Sequence, residues 1–253
     1  MSNFHSLFRP ILFAAAYQLR GIGKIAPFYF LLSTWTTSSR VYNRTAGRPV
    51  PEGYARAILP GVVIAYAVPT VLMFLPYSSI DTWQDAIALW QFAPLAVGPL
   101  VFALGRALAV PDPDELEMYK NRDVAPLRAA YALGVGVTGV VHVCVVLFAL
   151  AQGVRLGRIF GVENPFSGKW PSDGNPLEEI FQFFKWDLAS WALVTLVWCL
   201  WSVFDMRRLG YVTTGQALRA AVAVPASLLA LGPGAMYAGT WYWREGVISE
   251  LCK

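Results

Sequence analysis

Apolar runs long enough to cross a bilayer recur along this chain, and nothing else in it limits the possible folds so severely. A crossing takes about 20 residues of helix, and six such runs are read, over roughly 22–38, 57–76, 86–108, 127–151, 180–204 and 216–243. A further stretch, "ILFAAAYQL" at 11–19, is too short to cross alone. It belongs either to an interfacial helix over 8–24 or to a seventh span broken near Arg20 to Lys24. Composition agrees: 56% of the 253 residues are hydrophobic and 14% charged, where a soluble domain carries nearer a quarter charged. The expected fold is all-α, a polytopic integral membrane bundle of six or seven transmembrane helices, several of them Pro/Gly-broken.

Residues 1–253 read as a single membrane domain. The polar segments "AGRPVPEG" (46–53), "VPDPDELEMYKNRD" (110–123) and "ENPFSGKWPSDGNP" (163–176) have the Pro, Gly and Asp content of joints between spans. The net charge of +4 is spread over many loops, so no basic surface for nucleic acid is expected. Eleven of the 20 Lys and Arg fall in loops 39–56, 106–128 and 205–219, which favours a cytosolic placement of those loops. The "NRT" sequon at Asn43 then lies on the cytosolic side, where it is not used. The start "SNFHSLFRP" lacks the features of a secretory signal, so insertion through the first span is expected.

Cys144, Cys199 and Cys252 lie far apart and show neither a disulfide framework nor metal-ligand spacing. No P-loop is present, and the "GIG" at 21–23 lacks the rest of a dinucleotide fingerprint. No cofactor or metal is therefore expected. The expected partners are the bilayer and a lipophilic small-molecule substrate.

Polar groups placed in the wrong solvent carry the functional reading. Pro27, Pro69, Pro94, Pro99, Pro225 and Pro233 fall inside spans, and "GPG" at 232–234 marks a break in the last one. Breaks free backbone carbonyls that need protein or a polar cavity as partner. In "FFKWDLASWALVTLVWCLWSVFD" (183–205), Asp187, Trp191, Val194, Trp198 and Asp205 recur on one helical face. Asp187 and Asp205 are about 27 Å apart along a helix axis, too far to work as one acid–base pair. Asp205, beside Arg207 and Arg208, reads as a boundary ion pair.

Asp187 lies inside the apolar run, and an ionised carboxylate there is costly. It either pairs with Lys185, two positions away on a different side of the helix, or acts as a general acid. Burial beside aromatic rings favours the proton-bearing form that a general acid requires. Glu245, in "WYWREG", is the second candidate carboxyl. His142, Gln91, Tyr66, Trp191 and Trp198 are candidate substrate-binding groups, each with a packing or helix-stapling role as the alternative.

Five segments occur in a characteristic order: "PFYFLLSTW" (27–35), "AILPGVVIAYAVPTVLMF" (57–74), "WQFAPL" (90–95), "FKWDLASW" (184–191) and "GPGAMYAGTWYWREGVI" (232–248). Together they resemble the fungal membrane-bound terpene cyclases of ascofuranone and ascochlorin biosynthesis, a family that also holds the epoxide hydrolases of aurovertin- and citreoviridin-type polyketide pathways. The resemblance implies a secondary-metabolite enzyme of the endoplasmic reticulum membrane that opens an epoxide on a lipophilic precursor by acid. The epoxide carbon is then captured by an alkene, an internal hydroxyl or water, giving a cyclised terpenoid or meroterpenoid, a cyclic ether or a diol. Many relatives carry a carboxylate just after the first span in an "ENY"-like motif. Here that place reads "SRVYN", with Arg40 ahead of Tyr42, which shifts the acid role onto Asp187 and Glu245. A small-molecule transporter is the alternative from another class, since broken helices and an intramembrane carboxyl are shared features.

Overall fold

The computed structural model describes residues 3–36, 50–109, 121–155, 157 and 176–250, and every element among them is helical. The "NRT" and "SRVYN" segments, Cys252, most of 110–123 and nearly all of 163–176 lie outside the described residues. The elements are α1 (Asn3–Arg20), α2 (Ile22–Thr36), α3 (Glu52–Val62), a π-helical turn (Val63–Ala67), α4 (Val68–Met73), α5 (Ile80–Ala107), α6 (Val124–Ala151), α7 (Pro176–Arg208) and α8 (Thr214–Glu250). Among the described residues, five helices are long and apolar enough to cross a membrane: Glu52–Met73, Ile80–Ala107, Val124–Ala151, Glu179–Arg208 and Thr214–Ser249. Each contains one of the predicted spans or most of it. The span expected at 22–38 is the 15-residue α2, about 22 Å long and short of a full crossing by itself. Outward-facing Leu229, Val222 and Phe148 are 80%, 70% and 69% exposed, as lipid-facing side chains must be where the solvent is as apolar as they are.

The chain forms two compact units. The first comprises Met1–Leu19, Thr37–Tyr131 and Glu245–Lys253. Its centre is the antiparallel seam between α3 and α5, built on small residues. A Cβ on Gly53 would sit 2.7 Å from the Gly105 carbonyl oxygen, and one on Gly61 would sit 2.5 Å from Val101 Cγ2. Ala55 and Ala57 are fully buried there. Backbones approach this closely only where side chains are absent, the usual basis of helix pairing in lipid. At the polar end, Glu52 pairs with Arg56 and, at 3.8 Å, with Arg122. Asp123 accepts the Val50 N–H at 3.0 Å, tying the chain entering α6 to the chain entering α3.

Pro69 lacks an N–H and its ring crowds the preceding turn, and the π turn at Val63–Ala67 widens the helix just before it. Thr70 Oγ1 donates to the Tyr66 carbonyl at 2.7 Å and accepts Trp90 Nε1 at 2.9 Å, fastening α4 to α5. The helix α5 runs unbroken through Pro94 and Pro99. The carbonyl of Gln91, one turn before Pro94, accepts Gln18 Nε2 at 3.2 Å.

The second unit comprises Arg20–Thr36 and Ala132–Arg244. Gly21, at φ 86°, separates α1 from α2. In this unit α2 packs along α7 in the same direction, with Gly23 against Asp187 and Ser190 and Phe30 stacked on Trp198 at 4.3 Å. Gly210, at φ 84°, follows α7, whose last turn holds Arg207 and Arg208. Arg208 pairs with Asp205 at 2.9 Å, the boundary ion pair expected there. A capping box then opens α8: Thr213 N–H donates to Gln216 Oε1 at 2.8 Å, and Gln216 N–H to Thr213 Oγ1 at 3.3 Å.

The 37 residues of α8 are two helices joined at Gly232, whose φ of 84° and ψ of 170° are non-helical. Pro233 starts the second arm, where its fixed φ suits a first helical position. Gln216 and Trp243 would be about 40 Å apart on a straight helix, yet both line one groove. The core of the unit likewise joins Val224 of the first arm to Met236 of the second, with Cys199 and Val203 of α7. The chain therefore doubles back at Gly232, and the arms face each other. Against the second arm, α6 runs antiparallel: Gly134 meets Ala238, Thr138 meets Gly234, and the His142 ring meets Gly232.

Candidate active site

Asp187 projects from α7 onto the first turn of α2. Its Oδ1 accepts the Gly23 N–H at 2.7 Å and its Oδ2 the Ile22 N–H at 3.2 Å. These N–H groups have no partner within their own helix, and a helix N-terminus carries partial positive charge. The backbone, not a counter-ion, thus compensates the carboxyl. Lys185 instead lies over the Trp186 ring at 5.4 Å, and Asp187 makes no ion pair among the described residues. The expected alternative of a Lys185–Asp187 pair is corrected on this point.

The fit at this corner is close. A Cβ on Gly21 would sit 2.5 Å from Asp187 Oδ1, and one on Gly23 would sit 2.4 Å from the Asp187 carbonyl oxygen. Phe183 closes one side, its ring 3.3 Å from the Gly21 position. Trp191, one turn along α7, is half-buried and shares the Asp187 face. The sequence held a signal for this contact in "GIGK" at the head of an apolar helix. Read only as an incomplete nucleotide fingerprint, it gave no reason to pair it with a carboxylate 164 positions away.

Trp198 is the hub of an aromatic stack. It lies near-parallel to Phe30 at 4.3 Å and to Tyr237 at 5.7 Å, and contacts Trp241 at 5.1 Å. Arg244 lies over Trp241 at 4.6 Å. Trp198 and Trp241 are thus engaged in packing and in a cation–π contact internal to the protein. Thr195 Oγ1 and Trp241 Nε1 are buried with no hydrogen-bond partner among the described residues. A ligand oxygen could satisfy either donor. The ring of His142 rests on Gly232 at the α8 bend.

In the first unit, Glu245 is 2% exposed, and the Arg128 guanidinium packs on the adjoining Gly246. Tyr66 faces Trp90 with ring centroids 6.2 Å apart, and the Gln91 backbone takes the Gln18 hydrogen bond. Asp187, Trp191, Trp198 and His142 thus belong to the second unit, and Tyr66, Gln91 and Glu245 to the first. Among the described residues, no three His, Cys, Asp or Glu side chains are grouped as metal ligands.

A second feature, not foreseen from sequence, is a groove of about 470 Å³ between α6 and the two arms of α8. Its walls are apolar, with Gln216, Arg219, Ser227 and Thr240 as its polar members and Trp243 as its aromatic one.

Comparison with known proteins follows the resemblance drawn from the ordered segments. The chain is 23% identical over 242 residues to the FAD-dependent monooxygenase verC1 of Penicillium polonicum, covering 95% of this chain and 29% of that protein. It is 26% identical over 194 residues to the terpene cyclase ascI of Acremonium egyptiacum, covering 74% and 50%. With the terpene cyclase ctvD of Aspergillus terreus it shares 36% over 102 residues, covering 38% and 28%. The chain therefore spans half or less of the length of these relatives. No solved structure matches it. The CtvD domain model matches residues 3–249, and on that match the chain belongs to the CtvD domain family.

Proposed function

We propose that the chain is a membrane-embedded, terpene cyclase-like enzyme of fungal secondary metabolism. It opens an epoxide on a lipophilic precursor by general acid catalysis at the endoplasmic reticulum membrane. The observation that carries this reading is Asp187 on the first turn of α2, within an apolar helix and flanked by Phe183 and Trp191.

Asp187 delivers its proton to the epoxide oxygen as the C–O bond breaks. An alkene of the same molecule attacks the electron-deficient carbon, forming the new C–C bond. Proton loss from the resulting cation completes an isomerisation with no net gain or loss of atoms. The carboxylate left on Asp187 keeps the Gly23 and Ile22 N–H groups, so charge developing there is stabilised by donors already in place. The half-buried ring of Trp191, on the same helical face, offers its negative face to cationic carbon.

Two relatives are named terpene cyclases, which favours capture by carbon over capture by water. Relatives named FAD-dependent monooxygenases match over only 27–29% of their length. Flavin monooxygenation of an alkene is the reaction class that supplies an epoxide, which fits an epoxide-opening partner beside it.

Microsomes of a yeast host expressing the chain, given epoxidised prenyl-phenol and polyene-pyrone substrates, test the reading. A product of unchanged mass with a new ring supports cyclisation. A product heavier by one water gives hydrolysis instead. Transport of unaltered substrate into vesicles, with no product from either class, overturns the enzyme reading.

A further inference from the structure

We infer that the groove between α6 and the two arms of α8 binds one anionic phospholipid. This rests on the groove alone and is independent of the proposed chemistry. Because the chain doubles back at Gly232, Gln216 and Arg219 of the first arm and Trp243 of the second lie toward the open end of the hairpin. Leu231 and Ala235 lie at its closed end. The groove is thus polar and aromatic at one end and apolar at the other, the order of groups met by a lipid from headgroup to chain.

Its length fits as well. Arg219 and Leu231 are about 18 Å apart along a helix, close to half of a roughly 30 Å hydrocarbon core. The walls between them, including Ala220, Ala223, Val224 and Gly239, leave room for one chain and offer it no charge.

The headgroup end selects for an anion. Arg219 is exposed and makes no hydrogen bond or ion pair among the described residues. Arg207, fixed by its hydrogen bond to Thr214 Oγ1 at 2.9 Å, adds charge at the same end of the helix, and it faces no described acid in an ion pair. Basic side chains at the membrane surface beside an apolar groove recognise an anionic headgroup by charge and its acyl chain by burial. Among the described residues the ring of Trp243 has no aromatic partner, which suits an interfacial position beside the headgroup.

The full chain, purified in detergent, is given phosphatidylserine or phosphatidylcholine. Retained lipid is counted by native mass spectrometry, and thermal unfolding is followed in parallel. Phosphatidylserine is expected to bind roughly five- to tenfold better, the worth of one charge-assisted contact near a membrane surface. Arg219→Gln should erase the preference without moving the melting temperature in detergent alone. Ala223→Leu, which fills the groove, should lower retention of both lipids. Equal retention by the wild type, or an intact preference in Arg219→Gln, overturns the inference. So does displacement of phosphatidylserine by an epoxidised prenyl-phenol at stoichiometric dose, which assigns the groove to substrate.

Discussion

A lone carboxyl in an apolar helix needs either a proton or a partner, and the α2 N-terminus, marked in sequence only by "GIGK", supplies a partner. Asp187→Asn tests what the carboxyl does beyond docking. The amide keeps one acceptor for the Gly23 N–H but presents its NH2 toward the Ile22 N–H, so a modest loss of melting temperature is expected. Turnover in folded protein should fall by about two to four orders of magnitude, the usual worth of positioned proton transfer. Substrate affinity should hold, because the proton matters as charge develops on oxygen. Near-normal turnover in folded Asp187→Asn leaves capping as its whole role and makes Glu245 the next carboxyl to test. Gly23→Ala probes the same corner without altering the acid. Its Cβ would fall 2.4 Å and 3.0 Å from backbone atoms of Asp187, which cannot swing away as a side-chain tip can. Helices α2 and α7 must part, and a stability loss of about 1–3 kcal/mol is expected by thermal unfolding. Sequence singled out Asp187 because burial cost is local and visible in one window. Its donors were illegible because they come from a helix more than 160 positions earlier.

Among the elements, α8 shows where hydropathy stops being informative. A single residue at φ 84° reverses the chain without interrupting the apolar run. The "GPG" segment marks a break in sequence, but nothing in it says that the arms face each other or that a groove lies between them. The hairpin predicts a topology. With Cys144, Cys199 and Cys252 replaced, single cysteines at Thr214 and Ser249 should react with a membrane-impermeant maleimide from the same side of sealed vesicles. Labelling from opposite sides would mean a straight span of 36 residues and would remove the hairpin. The bend itself should be intolerant. A side chain at Gly232 meets both the positive φ and the His142 ring at 2.6 Å, and strain of this kind costs about 1–3 kcal/mol. Gly232→Ala should therefore lower the melting temperature, and His142→Ala, which opens the space but leaves the φ, should restore only part of it. By contrast α5 shows Pro tolerated without a break. Pro alone in a membrane sequence is thus a weaker sign of interruption than Gly followed by Pro.

For the molecule as a whole, membrane residence was legible because it depends on run length, which five helices satisfy directly. Family membership was legible in the ordered segments, and the family model matches residues 3–249. The reaction is the least local property of all, since it depends on which oxygen the acid reaches. As proposed, it is separable from that of the relatives that carry a monooxygenase name. Those relatives are far longer than this chain, and under the proposed function oxidation and ring opening divide between different stretches of protein. If that division holds, purified chain in nanodiscs should convert an epoxide in the absence of flavin, nicotinamide and oxygen, and should leave the corresponding alkene untouched. Under the proposed mechanism, in which Asp187 supplies the proton, the rate should also be indifferent to chelation. Rates would be measured with and without EDTA and, separately, with added flavin and reductant. A rate lost to EDTA and restored by a divalent ion would sink the metal-free mechanism. Conversion of the alkene only when flavin and reductant are present would place oxidation in this chain and overturn the division of labour.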